Sequence, residues 1–379
     1  MKQIYLDYAA ATPVRKEVLQ EMRKFETLFA NPSSVHGAGV RAREVLEDAR
    51  GRVGKILGAS GEDKIIFTSG GTESINLALL GFARANRSKG KHIITSAVEH
   101  KAVLETCKQL EREGFIVDYI GVDEKGVVDV DEIATKIKKD TILVSIQSVN
   151  NEIGVMQPIV EIGKLLKIKK IAFHVDACQA GLLDLDVNRL GVDLLTLNSS
   201  KVYGPHGVGL LYVREGIAIS PVIFGGGQEY GLRSGTENVA GIVGFALALS
   251  LLQKERKKEL MRLQGLRARF VADLKKNIGD VVIVSDLEKS VPTILSVGFR
   301  GVEAETVVRA LSALKVYISA GSACTVQQIE VSHVLKAMRV EEDVARGVVR
   351  FSFGRETHAR DLKMGVVCVK KVVESLRMV

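Results

Sequence analysis

Lys201 closes the run Asn198-Ser199-Ser200-Lys201, directly after the apolar segment Leu194–Leu197. A lysine amine at the end of a buried strand can condense with an aldehyde and can also carry a proton. Asp176 follows a second apolar run, Ile171–Val175, and is itself followed by Cys178 and Gln179. His100 ends Val98-Glu99-His100 after the run His92–Ser96, and Asn150 and Asn151 follow Ile142–Gln147. After Lys64–Thr68 comes Ser-Gly-Gly-Thr, with Gly71 and Thr72 at the start of a helical pattern. Small residues there leave backbone N–H groups open to an anion, helped by the helix dipole. The run does not match the phosphate-binding GxxxxGK[ST] spacing, and Gly225–Gly231 does not match the dinucleotide GxGxxG spacing.

Each of these residues has an ordinary alternative. A lone histidine is more often structural, and Gly and Ser also build plain strand-to-helix turns. Together they offer an amine, a carboxylate, an imidazole, amides and an anion cradle at successive strand ends. Ligands of open α/β sheets sit at those carboxyl ends. The set describes a site for an aromatic, phosphorylated aldehyde, pyridoxal 5′-phosphate (PLP). Lys201 would hold the aldehyde, and Asp176 would keep the ring nitrogen protonated so that the ring draws electrons. His100 would lie over the ring, and Gly71 with Thr72 would take the phosphate. Gln179 and Asn151 would tune the ring's phenolic oxygen.

The elements that must position these groups alternate. Strand-like runs at 64–68, 92–96, 115–121, 142–147, 171–175 and 194–197 are separated by helical patterns at 73–84, 102–113 and 159–167. The second helix stops at Gly114 and the third is entered through Pro158. Such alternation predicts an α/β fold with a mostly parallel central sheet flanked by helices. Beyond Val239 the texture changes: two or so long helices reach about Ile278. Then come a strand at 293–299, a helix at 305–313, a strand at 316–319, a helix at 332–338, a strand at 350–353 and a helical end. This is a smaller α+β C-terminal domain. The boundaries expected are 1–15 for an N-terminal segment associated with the small domain, 16–255 for the large domain and 256–379 for the small one.

Length and composition fit this picture. The 379 residues, 46% hydrophobic and 26% charged, suffice for more than one core. A net charge of +8 is mild for that length and demands no polyanionic partner. The basic stretch Lys254–Arg269 reads as the wet face of a helix, without the aromatic interleaving of a nucleic-acid surface. The most apolar stretch, Val239–Leu252, falls short of the about 20 residues needed to span a bilayer. The N-terminus has no signal-like run, since Asp7 interrupts it. These features predict a cytoplasmic protein with no membrane contact and no direct nucleic-acid binding. The cysteines, Cys107, Cys178, Cys324 and Cys368, form neither a CxxC nor a zinc pattern, and four thiols in so long a chain do not make a disulfide scaffold.

Across nearly the whole chain the motifs resemble those of the cysteine desulfurases, class V aminotransferase-like members of the fold-type I PLP enzymes. The matching segments are YLDYAAATPV, NPSSVHGAG, IIFTSGGTESINLAL, HIITSAVEHKAVLET, TILVSIQSVNNEIGV, FHVDACQA, KVYGPHGVGLLYV, FGGGQEYGLRSGTENV, SAGSACT and VRFSFGR. The resemblance implies the roles given above for His100, Asp176 and Lys201, and phosphate contacts from Gly71, Thr72 and Ser200. It implies that Thr236 reaches the phosphate of the other subunit, hence a homodimer. It implies that Arg350 binds the substrate carboxylate near Asn151, and that Cys324 becomes the persulfide. L-cysteine would give L-alanine, and the sulfur would pass to an acceptor such as an iron–sulfur scaffold protein or a tRNA-thiolating enzyme. Cys324 would also be a transient ligand of a nascent iron–sulfur cluster. Two departures stand out. Asn198-Ser199-Ser200 replaces a tripeptide that usually ends in His, which removes one phosphate contact and lowers the expected cofactor affinity. Val331, rather than the frequent Pro, precedes Ser332, which bears on partner docking.

Read on its own surroundings, Cys324 sits in a stretch of Gly, Ser and Ala from Ser319 to Thr325. Small residues leave its sulfur unshielded and the segment free to move. A tight turn is the plain alternative, and the rest of the site favours a nucleophile. Cys107 and Cys368 read as helix-face core residues and Cys178 as a space filler. Rival readings are a selenocysteine lyase, an aminotransferase with no need of Cys324, and a PLP-binding sulfur-relay scaffold with poor turnover.

Overall fold

The computed structural model describes residues 3–321 and 331–378. In chain order the strands are β1 (Ile4–Tyr5), β2 (Lys64–Thr68), β3 (His92–Ser96), β4 (Ile116–Ile120), β5 (Thr141–Gln147), β6 (Ala172–Asp176) and β7 (Leu194–Asn198). They continue with β8 (Gly209–Val213), β9 (Val281–Ile283), β10 (Ile294–Phe299), β11 (Val316–Tyr317), β12 (Ser319–Ala320) and β13 (Val348–Ser352). The central sheet has the order β2-β8-β7-β6-β5-β3-β4. β8 is antiparallel to both its neighbours, and the remaining pairs are parallel. The interior strands β3, β5, β7 and β8 are buried almost throughout, as a sheet covered on both faces requires.

The sheet is therefore mostly parallel, as the alternating pattern predicts. β8 does not emerge from that pattern, because its apolar run follows the glycine-rich turn after Lys201 with no helix between. A second sheet, β12-β13-β10-β9, is antiparallel. The strand expected at 316–319 divides into β11, which pairs in parallel with β1, and β12, which joins β13. The N-terminal segment thus lies beside the second sheet, and Asp7 bridges to Ser352.

The two long helices expected between 239 and 278 are one helix, Val239–Asn277, of 39 residues. The change from apolar to charged side chains near residue 253 suggests a break, but no proline interrupts the run. Its first half is buried, and further along only Leu263, Arg267, Phe270, Val271 and Leu274 are. It packs on the helices Lys16–Arg23, Gly37–Leu57 and Ala359–Arg377. Apolar side chains from both sheets and from this helix share one core.

Candidate functional site

The carboxyl ends of β7, β6 and β5 lie side by side at the middle of the central sheet. Asp176 is the last residue of β6 and only 7% exposed. Its Oδ1 accepts the backbone N–H of Cys178 at 3.0 Å, and its carbonyl accepts that of Ser148 at 2.8 Å. Two residues earlier, on the same face of the strand, His174 is fully buried. Its Nδ1 lies 2.8 Å from Ser145 Oγ and its Nε2 3.0 Å from Thr196 Oγ1. Burial pushes His174 down to about 4, so it is a neutral imidazole tying β5, β6 and β7 beneath Asp176.

Lys201 ends a short 3-10 turn, Ser199–Lys201, whose start is capped by the Asn198 side chain. The chain then turns sharply: Tyr203 has φ 65°, and a Cβ on Gly204 would lie 2.3 Å from Ser199 Oγ. This places the amine among backbone carbonyls of the N-terminal segment. Lys201 Nζ donates to Ala9 O at 2.8 Å and to Ala10 O. Gln179 Nε2 donates to the same Ala9 carbonyl at 2.9 Å, and Thr12 N–H donates to Ser200 O at 2.9 Å. Sequence reasoning gave the N-terminal segment no part in the site. Its motif YLDYAAATPV was the available signal, but carbonyl groups have no side-chain signature.

His100 caps the helix Lys101–Arg112, its Nδ1 accepting Ala102 N–H at 3.1 Å. An accepting Nδ1 puts the proton of the neutral ring on Nε2. The preceding Glu99 is fully buried. Its Oε1 accepts Ser96 Oγ–H at 2.6 Å and Gln147 N–H at 3.0 Å, and Oε2 has no partner among the described residues. Burial pushes this carboxyl up to about 8, so it is held as a neutral acid at pH 7. It fastens the turn bearing His100 to the end of β5.

Gly71 and Thr72 open the helical stretch that follows β2, and both line the cleft. A Cβ on Gly71 would lie 2.8 Å from Cys178 Sγ and 3.5 Å from Asn198 Cβ, so glycine admits these three residues to one corner. Asn198 lines the cleft there, while the Ser200 hydroxyl turns to Asn198 Oδ1 at 3.2 Å and lies beneath it. Thr236 is exposed and does not line the cleft.

On the facing side, Arg350 projects from β13 and is 4% exposed. Its Nη1 donates to Asn151 O at 2.9 Å and its Nη2 to Asp7 Oδ1 at 2.9 Å. Glu152, to which the sequence analysis gives no role, lines the same cleft. Cys324 lies outside the described residues. Gly321 and Val331, which flank its segment, both line the cleft. Burial pushes Cys107 up to about 12 and raises Cys368, and burial beside Asp176 raises Cys178 well above an ordinary thiol. None of these three is poised as a thiolate at neutral pH.

The cleft holds about 480 Å³. Lys201, Asp176, His100, Gln179, Asn151, Gly71, Thr72 and Arg350 all line it. An amine and a buried carboxylate, an imidazole at a helix start, and a corner that Gly71 keeps open beside Thr72 and the Asn198 amide suit a flat phosphorylated aldehyde. Among the described residues no cluster of three or more His, Cys, Asp or Glu could hold a metal ion, and no helix is long and apolar enough to cross a membrane.

Residues 4–364 match the aminotransferase class-V family. The chain is 46% identical over 380 residues to cysteine desulfurase IscS of Dictyoglomus turgidum, covering 100% of this chain and 96% of that protein. It is 43% identical to cysteine desulfurase IscS 1 of Archaeoglobus fulgidus, over 98% and 97% of the two chains. Among solved structures, a NifS-like protein superposes with a TM-score of 0.92 at 39% identity, over 100% of both chains. A structure of SspA in complex with cysteine gives 0.82 at 36% identity, over 93% of this chain and 99% of the other.

Proposed function

The chain belongs to the aminotransferase class-V family, among its cysteine desulfurases, and we propose that it works with PLP in the cleft described above and with Cys324 as the sulfur acceptor. One observation carries this reading: Lys201, Asp176, His100 and Arg350, distant in sequence, line one cleft whose rim includes both flanks of the Cys324 segment. Lys201 would hold the cofactor's aldehyde carbon and Asp176 its ring nitrogen, with His100 against the ring. Gly71, Thr72 and Asn198, with Ser200 beneath, would hold the phosphate, and Gln179 the phenolic oxygen. When bound, PLP supplies an aldehyde for amino groups and an electron-withdrawing ring that acidifies the α-carbon of an amino acid.

Arg350 binds the carboxylate of L-cysteine through a charge-assisted pair and fixes its orientation, with Asn151 alongside. Lys201 Nζ takes the α-proton and returns one, the neighbouring Ala9 and Ala10 carbonyls orienting the amine. His100 Nε2 exchanges a proton with the substrate thiol. The Cys324 thiolate attacks the substrate sulfur: an S–S bond forms, the Cβ–S bond breaks, and its electron pair stays with the carbon fragment that becomes L-alanine. L-cysteine plus the Cys324 thiol therefore give L-alanine plus a persulfide, with no outside oxidant or reductant.

We take the enzyme to be a cytoplasmic homodimer that hands this sulfur to an acceptor protein of iron–sulfur assembly or tRNA thiolation. Thr236 is exposed and lies away from its own cleft, and Phe29, Val35 and Phe224 are exposed apolar side chains, which supports a contact with a second copy. The test is to supply L-cysteine and measure L-alanine and protein-bound sulfane sulfur together. Equal amounts are expected in the first turnover, and Cys324→Ser should keep the cofactor but lose the bound sulfur. Sulfide release from Cys324→Ser at the wild-type rate would refute the nucleophile assignment.

A further inference from the structure

The cleft has a second carboxyl group besides Asp176, that of Glu152, which is 6% exposed. Its turn is fastened to both sheets. Asn150 Oδ1 accepts Glu152 N–H and Ile153 N–H at 2.9 Å each, and Glu152 O accepts Ser296 Oγ–H of β10 at 2.7 Å. The carboxyl Oε2 accepts Ser332 Oγ–H, and Ser332 Oγ accepts Val334 N–H at 3.1 Å to cap the helix His333–Ala337. The single hydroxyl proton of Ser332 is thereby committed to Glu152. On the other side, a Cβ on Gly321 would lie 3.3 Å from Glu152 Oε2. Arg350 lines the same cleft, donates to the carbonyl of the adjacent Asn151 at 2.9 Å, and has an anionic partner in Asp7.

We propose that Glu152 is a positioning and specificity-determining residue: its charge, acting through Arg350, sets how strongly the cleft accepts an amino-acid carboxylate. Its bond to Ser332 holds the helix that brings His333 and Lys336 to the same cleft. The proposal deepens the functional reading, since it rests on Arg350 holding the substrate carboxylate. Burial raises the Glu152 carboxyl to about 7, the Ser332 hydrogen bond and the charges of Arg350, Lys101 and His100 pulling the other way. Below that pH the carboxyl is neutral, and Arg350 faces the substrate with Asp7 as a competing anion. Above it, the ionised Glu152 competes for the same guanidinium and repels the incoming carboxylate. The other charged or titratable groups around the carboxyl are Asp176 on the floor and Lys336 and His333 at the rim. Burial lowers His333 from its ordinary value, which favours the neutral ring.

Glu152→Gln keeps an acceptor for Ser332 and removes the charge, while Ser332→Ala removes the bond and keeps the charge. Alanine formation from L-cysteine by the holoenzyme, between about pH 6 and pH 8.5, separates the two roles. The wild-type KM is expected to rise about fivefold more over that range than the Glu152→Gln KM, with parallel kcat profiles, as one like charge near the anchor would cause. Glu152→Asp is expected to keep a pH-dependent rise in KM, and Ser332→Ala to keep the rise but move its midpoint to higher pH, because the lost hydrogen bond had lowered the carboxyl. Equal slopes for wild type and Glu152→Gln, or loss of the slope in Glu152→Asp, would overturn the proposal. Binding of L-alanine, followed by the holoenzyme's absorbance, makes the same comparison without turnover. Absence of alanine formation by the wild type would therefore count against the functional reading and leave the Glu152 comparison standing on its own.

Discussion

Replacing Arg350 by alanine is expected to raise the KM for L-cysteine far more than it lowers the amount of folded enzyme. The guanidinium is 4% exposed and gives one N–H to Asn151 O and one to Asp7 Oδ1, both at 2.9 Å. A hydrogen bond to a charged group contributes about 1.5–3 kcal/mol. Losing one such bond to a substrate carboxylate lowers kcat/KM by about tenfold to a hundredfold. The same substitution strips a partner from Asp7, whose side chain is 18% exposed and so in part rehydrated. That loss is about 1–3 kcal/mol, enough to lower the melting temperature by some degrees without unfolding the chain. Arg350→Lys keeps the charge but cannot satisfy Asp7, the Asn151 carbonyl and a substrate carboxylate from one ammonium. It should therefore recover stability better than KM. The assay is steady-state alanine formation beside a thermal melt of the holoenzyme. A KM within twofold of wild type in Arg350→Ala would show that the substrate carboxylate is held elsewhere.

Two further outcomes follow from the site. Lys201→Ala should abolish the borohydride-trapped cofactor linkage together with alanine formation; a trapped linkage at another lysine, found by peptide mapping, would refute the assignment. Gly71→Ala places a methyl group 2.8 Å from Cys178 Sγ and should weaken PLP binding by about tenfold in an absorbance titration, with Cys178→Ala in the same chain restoring most of the loss. No restoration would mean that the corner is shaped by something other than that sulfur.

The cleft residues whose side chains carry their own chemistry are legible in the sequence. Lys201, Asp176, His100, Asn151 and Gly71 each follow a strand whose periodicity is plain, and β2 and β3 fall where the pattern puts them. What escaped is what depends on distant partners. Glu152 has no signal of its own in the sequence, and its partner Ser332 lies 180 positions away. His174 reads as a strand residue until Ser145 and Thr196 are seen on either side of it. Ala9 and Ala10 act through carbonyl oxygens, which every residue has. β8 was hidden because it returns antiparallel after a short turn, against the alternation that revealed the other strands. The 39-residue helix resembles two in the sequence because a change of solvent exposure along one rod looks like a change of element.

That rod is about 58 Å long at 1.5 Å per residue. Its first half is wedged against the helices of the central sheet, while Phe270 stacks edge-on with Phe351 and Phe353 beside the second sheet. A one-residue insertion near its middle would turn everything beyond it by about 100°. The aromatic seat would then face water, and the strand bearing Arg350 would lose the packing that sets its place at the cleft. The helical phase of this one element is in effect the alignment gauge of the enzyme.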